Sequence, residues 1–553
     1  MIKISKLIFV SLFLFSSYCL NSQILDNLTA SYDSYSSYYL DDSKTGDFNF
    51  EDRFRSNNYL NLKTNIGYEW SFELQIESYL PKALLNFSPN LKETGISAFN
   101  IQYNKNDLNL SLGNFYEQFG SGMILRSWED KDLGINNSIR GLNGKYQIND
   151  EINITTLIGN QKKGFKYSKG LVVGFDTEID ISEILSNDNT LITGFSYVGR
   201  SDEKSSSELY NKMTNLFSSR LDFSSSTFYS SLEIIQKSKD PIMLFGSLSD
   251  SFVKKGSALL YNAGIIKDGF GFDFTFRRLE NMSLFSEREA FGNIYSESIV
   301  NYLPALTKQH DYSLANLYVY SSQPNVSFQS EKLMKAGEIG VQADLYYFLE
   351  KESFFGGEYG TNIAINGSFW NNLDGDFNYE NQDYNTTLFG FGEKYFSELS
   401  FEIRKKWSPK LDNIFLYVNQ YYNKRLVEET IGEAKSNVFV LESTFRINEN
   451  KSLRLELQHL STKDDMKNWA AFALEYNLSS AVSLYISDMY NYQSPKEENK
   501  IHYYNVGGSF NKGINRFSVN YGRQRGGLIC NGGICRYVPE STGFSLTITS
   551  SLF

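Results

Sequence analysis

Tyr59-Leu60-Asn61-Leu62-Lys63-Thr64-Asn65-Ile66-Gly67-Tyr68-Glu69-Trp70-Ser71-Phe72-Glu73-Leu74-Gln75-Ile76-Glu77 is the stretch that decides the fold class. In an extended chain, Leu60, Leu62, Thr64, Ile66 and Tyr68 share one face, and Tyr59, Asn61, Lys63 and Asn65 share the other. Phe72, Leu74 and Ile76 then oppose Glu73, Gln75 and Glu77. A period of two places these sets on opposite faces of a sheet.

The same period recurs along the chain. Phe99, Ile101 and Tyr103 alternate with Asn100, Gln102 and Asn104. Leu453, Leu455 and Leu457 oppose Arg454, Glu456 and Gln458, and Phe472, Leu474, Tyr476 and Leu478 oppose Ala471, Ala473, Glu475 and Asn477. Phe517, Val519 and Tyr521 oppose Ser518, Asn520 and Gly522. Short polar turns follow many runs, as at Asn104–Asp107, Asn149–Glu151, Asn448–Asn450 and Asn511–Gly513. These residue types tolerate the dihedrals of tight hairpins. Longer polar connections are read at Ser201–Ser207, Lys237–Ser251, Asn281–Gln309 and Asn371–Asn385.

Short turns on one side and long loops on the other are the layout of an outer-membrane barrel. A soluble sandwich also alternates, but here the polar face carries mid-strand charges and amides, as a wet lumen permits. Aromatics gather at run ends, as in Tyr35, Tyr38, Tyr39 and Tyr417, Tyr421, Tyr422, where membrane girdles lie. The expected fold is all-β: a large antiparallel transmembrane β-barrel of about 22–26 strands, with 26 as the working number, short periplasmic turns and longer external loops. The first strand is expected to begin by about Leu28, which leaves no room for an N-terminal plug domain.

Composition agrees with this class. The 553 residues are 41% hydrophobic and 16% aromatic, with only 8 Pro and 3 Cys, so the chain is neither disordered nor disulfide-dense. Net charge is -11 with no basic stripe, which argues against nucleic acid as a partner. Three histidines, His310, His459 and His502, leave little material for a His-based metal site or triad, and no pattern calls for a cofactor.

The N-terminus reads as an address. Lys3 and Lys6 precede the apolar run Leu7–Phe15, and small and polar residues follow through Ser22-Gln23. That is a secretory signal, with residues 1–22 removed and 23–553 forming one outer-membrane barrel domain. The apolar run is too short for a spanning helix, which needs ~20 residues. Tyr18 before Cys19 is too bulky for a lipoprotein signal. Export places the remaining cysteines in an oxidising compartment.

Cys530 and Cys535 flank Asn531-Gly532-Gly533-Ile534, with Gly526 and Gly527 on the approach. In a hairpin tip the two thiols face each other, so a structural disulfide in an external loop is expected. The closing strand Thr542–Phe553 is amphipathic and ends on Phe553, similar to the end read by barrel assembly machinery. Phe544, Leu546, Ile548 and Leu552 share a phase, and Phe553 falls outside it.

Alternation weakens between Asn114 and Gly141. Gly120 and Gly122 permit a bulge or a fold into the lumen. Glu117, Arg126, Glu129, Asp130 and Arg140 are the candidates for lumen or constriction charges, expected to pair across neighbouring strands.

Phe115 to Gly141, the Cys530/Cys535 tip with its Gly-rich approach, and the Phe553 end together resemble an uncharacterised outer-membrane barrel family of the Bacteroidota. The signal ending in Ser22-Gln23 fits that group. The resemblance spans the mature chain. It implies the fold and a location in the outer membrane of a Gram-negative bacterium, but no activity. Association with type IX secretion machinery is an analogy of lineage.

Enzyme readings find little support. His459 follows Leu453, Leu455 and Leu457 on the lipid face, with no serine nucleophile motif beside it. His310 and Asp311 form a lone pair in a long loop. Asp374, Asp376, Asn378 and Glu380 cluster hard oxygens without EF-hand spacing. The sequence therefore points to a non-enzyme: a porin-like channel or transporter for small solutes, or a scaffold in secretion or envelope assembly. The expected partners are outer-membrane lipid and lipopolysaccharide, barrel assembly machinery, and envelope or secretion proteins.

Overall fold

The computed structural model describes residues 27–551 apart from 86, 186–188, 203–210, 245–246, 289–294 and 296. The signal segment 1–22 and Phe553 lie outside the described residues.

The alternating runs become 24 strands of one sheet. The first eight are β1 (Thr29–Leu40), β2 (Phe54–Ile66), β3 (Trp70–Ser78), β4 (Thr94–Lys105), β5 (Leu108–Phe115), β6 (Ile139–Gln147), β7 (Ile152–Lys163) and β8 (Lys166–Asp180). The next eight are β9 (Thr190–Ser201), β10 (Met213–Ser224), β11 (Phe228–Leu244), β12 (Ser247–Lys267), β13 (Phe270–Glu280), β14 (Gly337–Leu349), β15 (Thr361–Asn378) and β16 (Asp383–Ser408). The last eight are β17 (Leu411–Tyr422), β18 (Ala434–Asn448), β19 (Lys451–Thr462), β20 (Trp469–Asn477), β21 (Val482–Tyr490), β22 (His502–Lys512), β23 (Asn515–Gln524) and β24 (Ser541–Ser551).

Each strand pairs antiparallel with its neighbours in sequence, and β1 closes on β24 from Ser31↔Ser551 to Leu40↔Thr542. Closure leaves no unpaired edge. The count is 24, inside the expected range and short of 26. The first strand starts at Thr29.

Side chains follow the period of two. On β19, Leu453, Leu455 and Leu457 stay exposed on the outer wall, while Glu456 and Gln458 are buried in the lumen. The girdle aromatics split by parity: Tyr38 faces out, but Tyr39 and Tyr422 are buried inside. They sit next in sequence to outward residues, so clustering at run ends alone does not assign a face.

One rim carries the start of β1, the end of β24 and short turns, tightened where Asn106 and Gly513 adopt φ of 50° and 60°. The opposite rim carries long segments, among them 79–93, 116–138, 281–336 and 525–540. Two expected connections are corrected. Much of Lys237–Ser251 belongs to β11 and β12, with Pro241 opposite Val253. Most of Asn371–Asn385 belongs to β15 and β16, with Asn378 opposite Asp383. The β16 strand runs on past its last pairing with β17, Phe396↔Tyr422. Strand that stands beyond the wall need not keep an apolar face, so its alternation fades and it reads as loop.

Candidate functional site: a lumen filled by two inserted segments

Two segments leave the wall and fold inward, and each is inserted between strand ends that are already paired. Phe115 at the end of β5 lies opposite Ile139 at the start of β6. Glu280 at the end of β13 lies opposite Gly337 at the start of β14. The wall is therefore continuous beneath both insertions.

The first insertion, 116–138, turns at Gly120 and Gly122, with φ of 52° and 91°. A Cβ on Gly120 would lie 2.5 Å from Cδ of Arg220, so only glycine fits against the wall there. The Ser121 amide donates to Glu233 (3.2 Å), which also accepts from Ser218 Oγ (2.7 Å). Phe119, Met123, Ile124 and Leu125 are almost fully buried.

They meet an arc of apolar residues on the lumen wall. Seven consecutive strands, β7 to β13, contribute one each: Leu157, Val172, Val198, Leu216, Ile235, Ala258 and Leu279. In register, Val198 faces Leu216, and Ile235, Ala258 and Leu279 follow one another across the sheet. Burying such groups stabilises by ~25 cal/mol per Å².

The second insertion, 281–336, spans both halves of the lumen. Met282, Leu284, Val300 and Leu303 join the first cluster. Tyr312, Leu314, Tyr318 and Tyr320 pack on a second arc that includes Trp370, Phe396, Val418, Val438 and Leu460. The two insertions bind each other: the Arg126 amide donates to Val300 O (3.0 Å), the Tyr302 amide to Gly122 O (3.0 Å), and Asn301 Nδ2 to Met123 O (3.0 Å).

Polar locks tie this segment to the wall. Arg288 Nε donates to Asp240 (2.9 Å), which also holds Arg200 (2.9 Å). His310 Nε2 meets Glu398 (2.8 Å), and Gln420 donates to both Glu398 (2.8 Å) and Ala315 O (2.9 Å). Tyr320 Oη donates to Glu338 (2.7 Å), whose other oxygen receives Arg277 (2.5 Å). Buried charges need such partners, because desolvation is otherwise uncompensated.

The charged residues singled out from sequence are dispersed around this plug. Glu117 pairs with Lys145 (2.9 Å) and accepts from Asn143 (3.1 Å). The Arg126 guanidinium lies 3.9 Å from the Tyr302 ring centre. Glu129 accepts from Gln75 (2.7 Å) and Asn136 (3.0 Å), and Asp130 from the Leu133 amide (2.8 Å). Arg140 corrects its assignment to the lumen. Ile139 before it is buried inside and Leu142 after it is exposed outside, so Arg140 faces outward. It is stacked between the rings of Phe99 and Tyr167, 4.8 and 4.9 Å from their centres. Glu117, Arg126 and Glu129 thus tie the inserted segment to the wall and to the second insertion, whereas the contact of Asp130 with Leu133 lies within the segment, and Glu117, Arg126, Glu129 and Arg140 each take partners outside the set.

Cys530 and Cys535 are joined, 4.0 Å apart at Cα, at the tip of a hairpin of Gly527–Asn531 and Ile534–Val538. The hairpin rests on the second insertion, where the Ala305 amide donates to Gly533 O (2.9 Å). Cys530→Ser with Cys535→Ser is expected to cost about 2 kcal/mol at most, because the closed loop is short. Limited proteolysis should then cut the hairpin, while heat-modifiable gel migration stays unchanged.

The other histidine and carboxylate candidates resolve simply. His459 faces outward and meets Tyr492 Oη (2.8 Å). Asp374, Asp376 and Asn378 lie on β15, with Glu380 in the turn after it. Sequence reading missed both apolar arcs. Their signal is a local loss of alternation, as in Gly170-Leu171-Val172-Val173-Gly174 and Asn437-Val438-Phe439-Val440-Leu441, where both faces are apolar. A strand buried on both faces reads this way.

A family model described as a family of unknown function, DUF6029, matches residues 1–552. No curated protein matches the chain. Among solved structures, the P pilus usher (PapC) translocation pore is similar at 9% identity and a TM-score of 0.43, covering 95% of this chain and 99% of that one. The siderophore receptor PirA from Pseudomonas aeruginosa is similar at 9% identity and 0.38, covering 96% and 81%. A BenF-like porin from Pseudomonas fluorescens Pf-5 is similar at 7% identity and 0.36, covering 95% and 97%. Likenesses of this size carry no argument about substrate or mechanism.

Proposed function

We propose, for a chain that belongs to the DUF6029 family of unknown function, a gated passage for small solutes across the outer membrane of a Gram-negative bacterium, with the Bacteroidota as the group its resemblance points to. Its own inserted segments hold the passage shut. The observation that carries this reading is the placement of each insertion between paired strand ends, Phe115↔Ile139 and Glu280↔Gly337. Segments attached in that way move without breaking the wall, as a gate requires. Selectivity would rest on lumen charges and on the inserted segments, not on covalent chemistry.

The outward band that includes Leu453, Leu455 and Leu457 suits contact with lipid and lipopolysaccharide. The C-terminal strand is the natural substrate of barrel assembly machinery. A second reading is a scaffold that passes nothing, serving secretion or envelope assembly. The full burial of Trp370, Tyr320 and Leu314 favours it, because a lumen packed like a core conducts poorly.

Liposome swelling separates the two. In proteoliposomes the wild type is expected to admit small sugars slowly, and deletion of Gly120–Asp132 to raise the rate at least ~tenfold. No swelling by either protein would favour the scaffold.

A further inference from the structure

Behind the second insertion, the lumen keeps two adjoining cavities of about 370 and 420 Å³. Both are lined by Asp311, Ser313, Met489, Gln524 and Arg525. Arg525 stands immediately after β23, at the base of the disulfide hairpin. Among the described residues no hydrogen bond or ion pair satisfies its guanidinium, and none of its nitrogens is sealed from solvent. A Cβ at residue 527 would lie 3.3 Å from both terminal nitrogens of Arg525, so Gly527 leaves that head uncovered.

The carboxylates around it are engaged elsewhere. Glu540 accepts from Tyr503 Oη (2.9 Å) and Glu428 from Tyr422 Oη (3.0 Å). The other charges facing the cavities are paired: Glu456 with Arg454 (2.7 Å), Asp488 with His502 (2.6 Å), Arg523 with Asp42 (2.6 Å) and His310 with Glu398 (2.8 Å). Three charged groups remain without partners among the described residues: Arg525, Lys308 and Asp311. Glu540 and Glu428 keep their charge and act on Arg525 through space without reaching it, so what the site lacks is a hydrogen-bonding partner for the guanidinium rather than negative charge. An enclosed guanidinium is costly to leave unpaired, and its planar fork fits a carboxylate or phosphate at two points.

We infer that Arg525, with Lys308 lining the same cavity, forms a binding site in the lumen for a small solute that carries an oxyanion, either carboxylate or phosphate. This rests on the reading of the barrel as a solute passage and names the class of solute. The net acidity of the chain points the other way, but the charge lining the cavity decides what the cavity holds.

The test is calorimetric titration of the refolded full-length protein with succinate and, separately, with inorganic phosphate. The arm that shows the tighter binding identifies the oxyanion. Arg525→Met is expected to weaken that binding at least ~tenfold, because a charge-assisted fork is lost. Arg525→Lys keeps the charge but not the fork and should fall between. If Arg525→Met fails to refold, Arg525→Lys decides alone. Wild-type affinity in whichever variant refolds, or no binding of either probe to the wild type, overturns the site. Solute flux without such binding sinks the site and spares the passage, whereas binding by a barrel that never passes solute does the reverse.

Discussion

Glu338→Gln is expected to destabilise the barrel by ~3–5 kcal/mol, the range for breaking a buried ion pair from one side. Glu338 and Arg277 are diagonal neighbours on β14 and β13, Glu338 lying opposite Leu279 and Arg277 opposite Gly340, and both are fully buried. Arg277 Nη2 reaches Glu338 at 2.5 Å, and the second carboxylate oxygen receives Tyr320 Oη and the Gln323 amide, each at 2.7 Å. One carboxylate therefore holds the wall to the returning end of the second insertion. A neutral amide leaves the Arg277 guanidinium without an anion, and its Nε already lacks a partner. The substituted amide also meets two donors with one oxygen fewer. The urea midpoint of the vesicle-inserted protein should fall, and protease should reach the insertion between residues 303 and 326 first. A wild-type midpoint with an uncut insertion would show that this carboxylate does not fasten the plug.

Replacement of residues 282–335 by a short Asn-Gly turn is expected to have the larger consequence for the cell. The strands on either side are already paired down to Glu280↔Gly337, so a hairpin can close there without changing the register of the wall. The barrel should still form and still shift its migration on heating. What disappears is most of the lumen filling: the Tyr312, Leu314, Tyr318 and Tyr320 cluster, and the partners of Gly122, Arg126 and Met123 in the first insertion. Cells that carry this variant should become at least ~tenfold more sensitive to a bulky antibiotic that the intact outer membrane excludes. Unchanged sensitivity, with the variant present and folded in the membrane, would mean that other segments close the lumen.

The barrel was legible in the sequence wherever only one face of a strand is apolar. Leu453, Leu455 and Leu457 against Glu456 and Gln458 announce a wall with an apolar outer face and a polar interior, and the structure places them so. Legibility failed where a strand has the same environment on both sides. The extensions of β11, β12, β15 and β16 read as loops because they stand clear of the apolar band. The arcs opposite the insertions read as unremarkable apolar runs because their inward residues, such as Val172 and Val438, pack on the plug.

The inward fold of 116–138 had a local cause that sequence does display: Gly120 and Gly122 both adopt positive φ, and at Gly120 a side chain would also meet Arg220. The partners of the charges did not. Arg126 meets Tyr302 across 176 residues of sequence and Glu129 meets Gln75 across 54. Such pairings depend on the three-dimensional path of two insertions, for which no local period exists. The company of charges around Arg140 points it inward, while parity relative to Ile139 and Leu142 sets it outward.

On the proposed reading, the two insertions keep the lumen shut. Its most direct test is single-channel recording in a planar bilayer, with the wild type beside the variant that lacks 282–335. The wild type should be silent or open only briefly, and the variant should show steady, large openings. Steady openings of equal size in both proteins would contradict that reading.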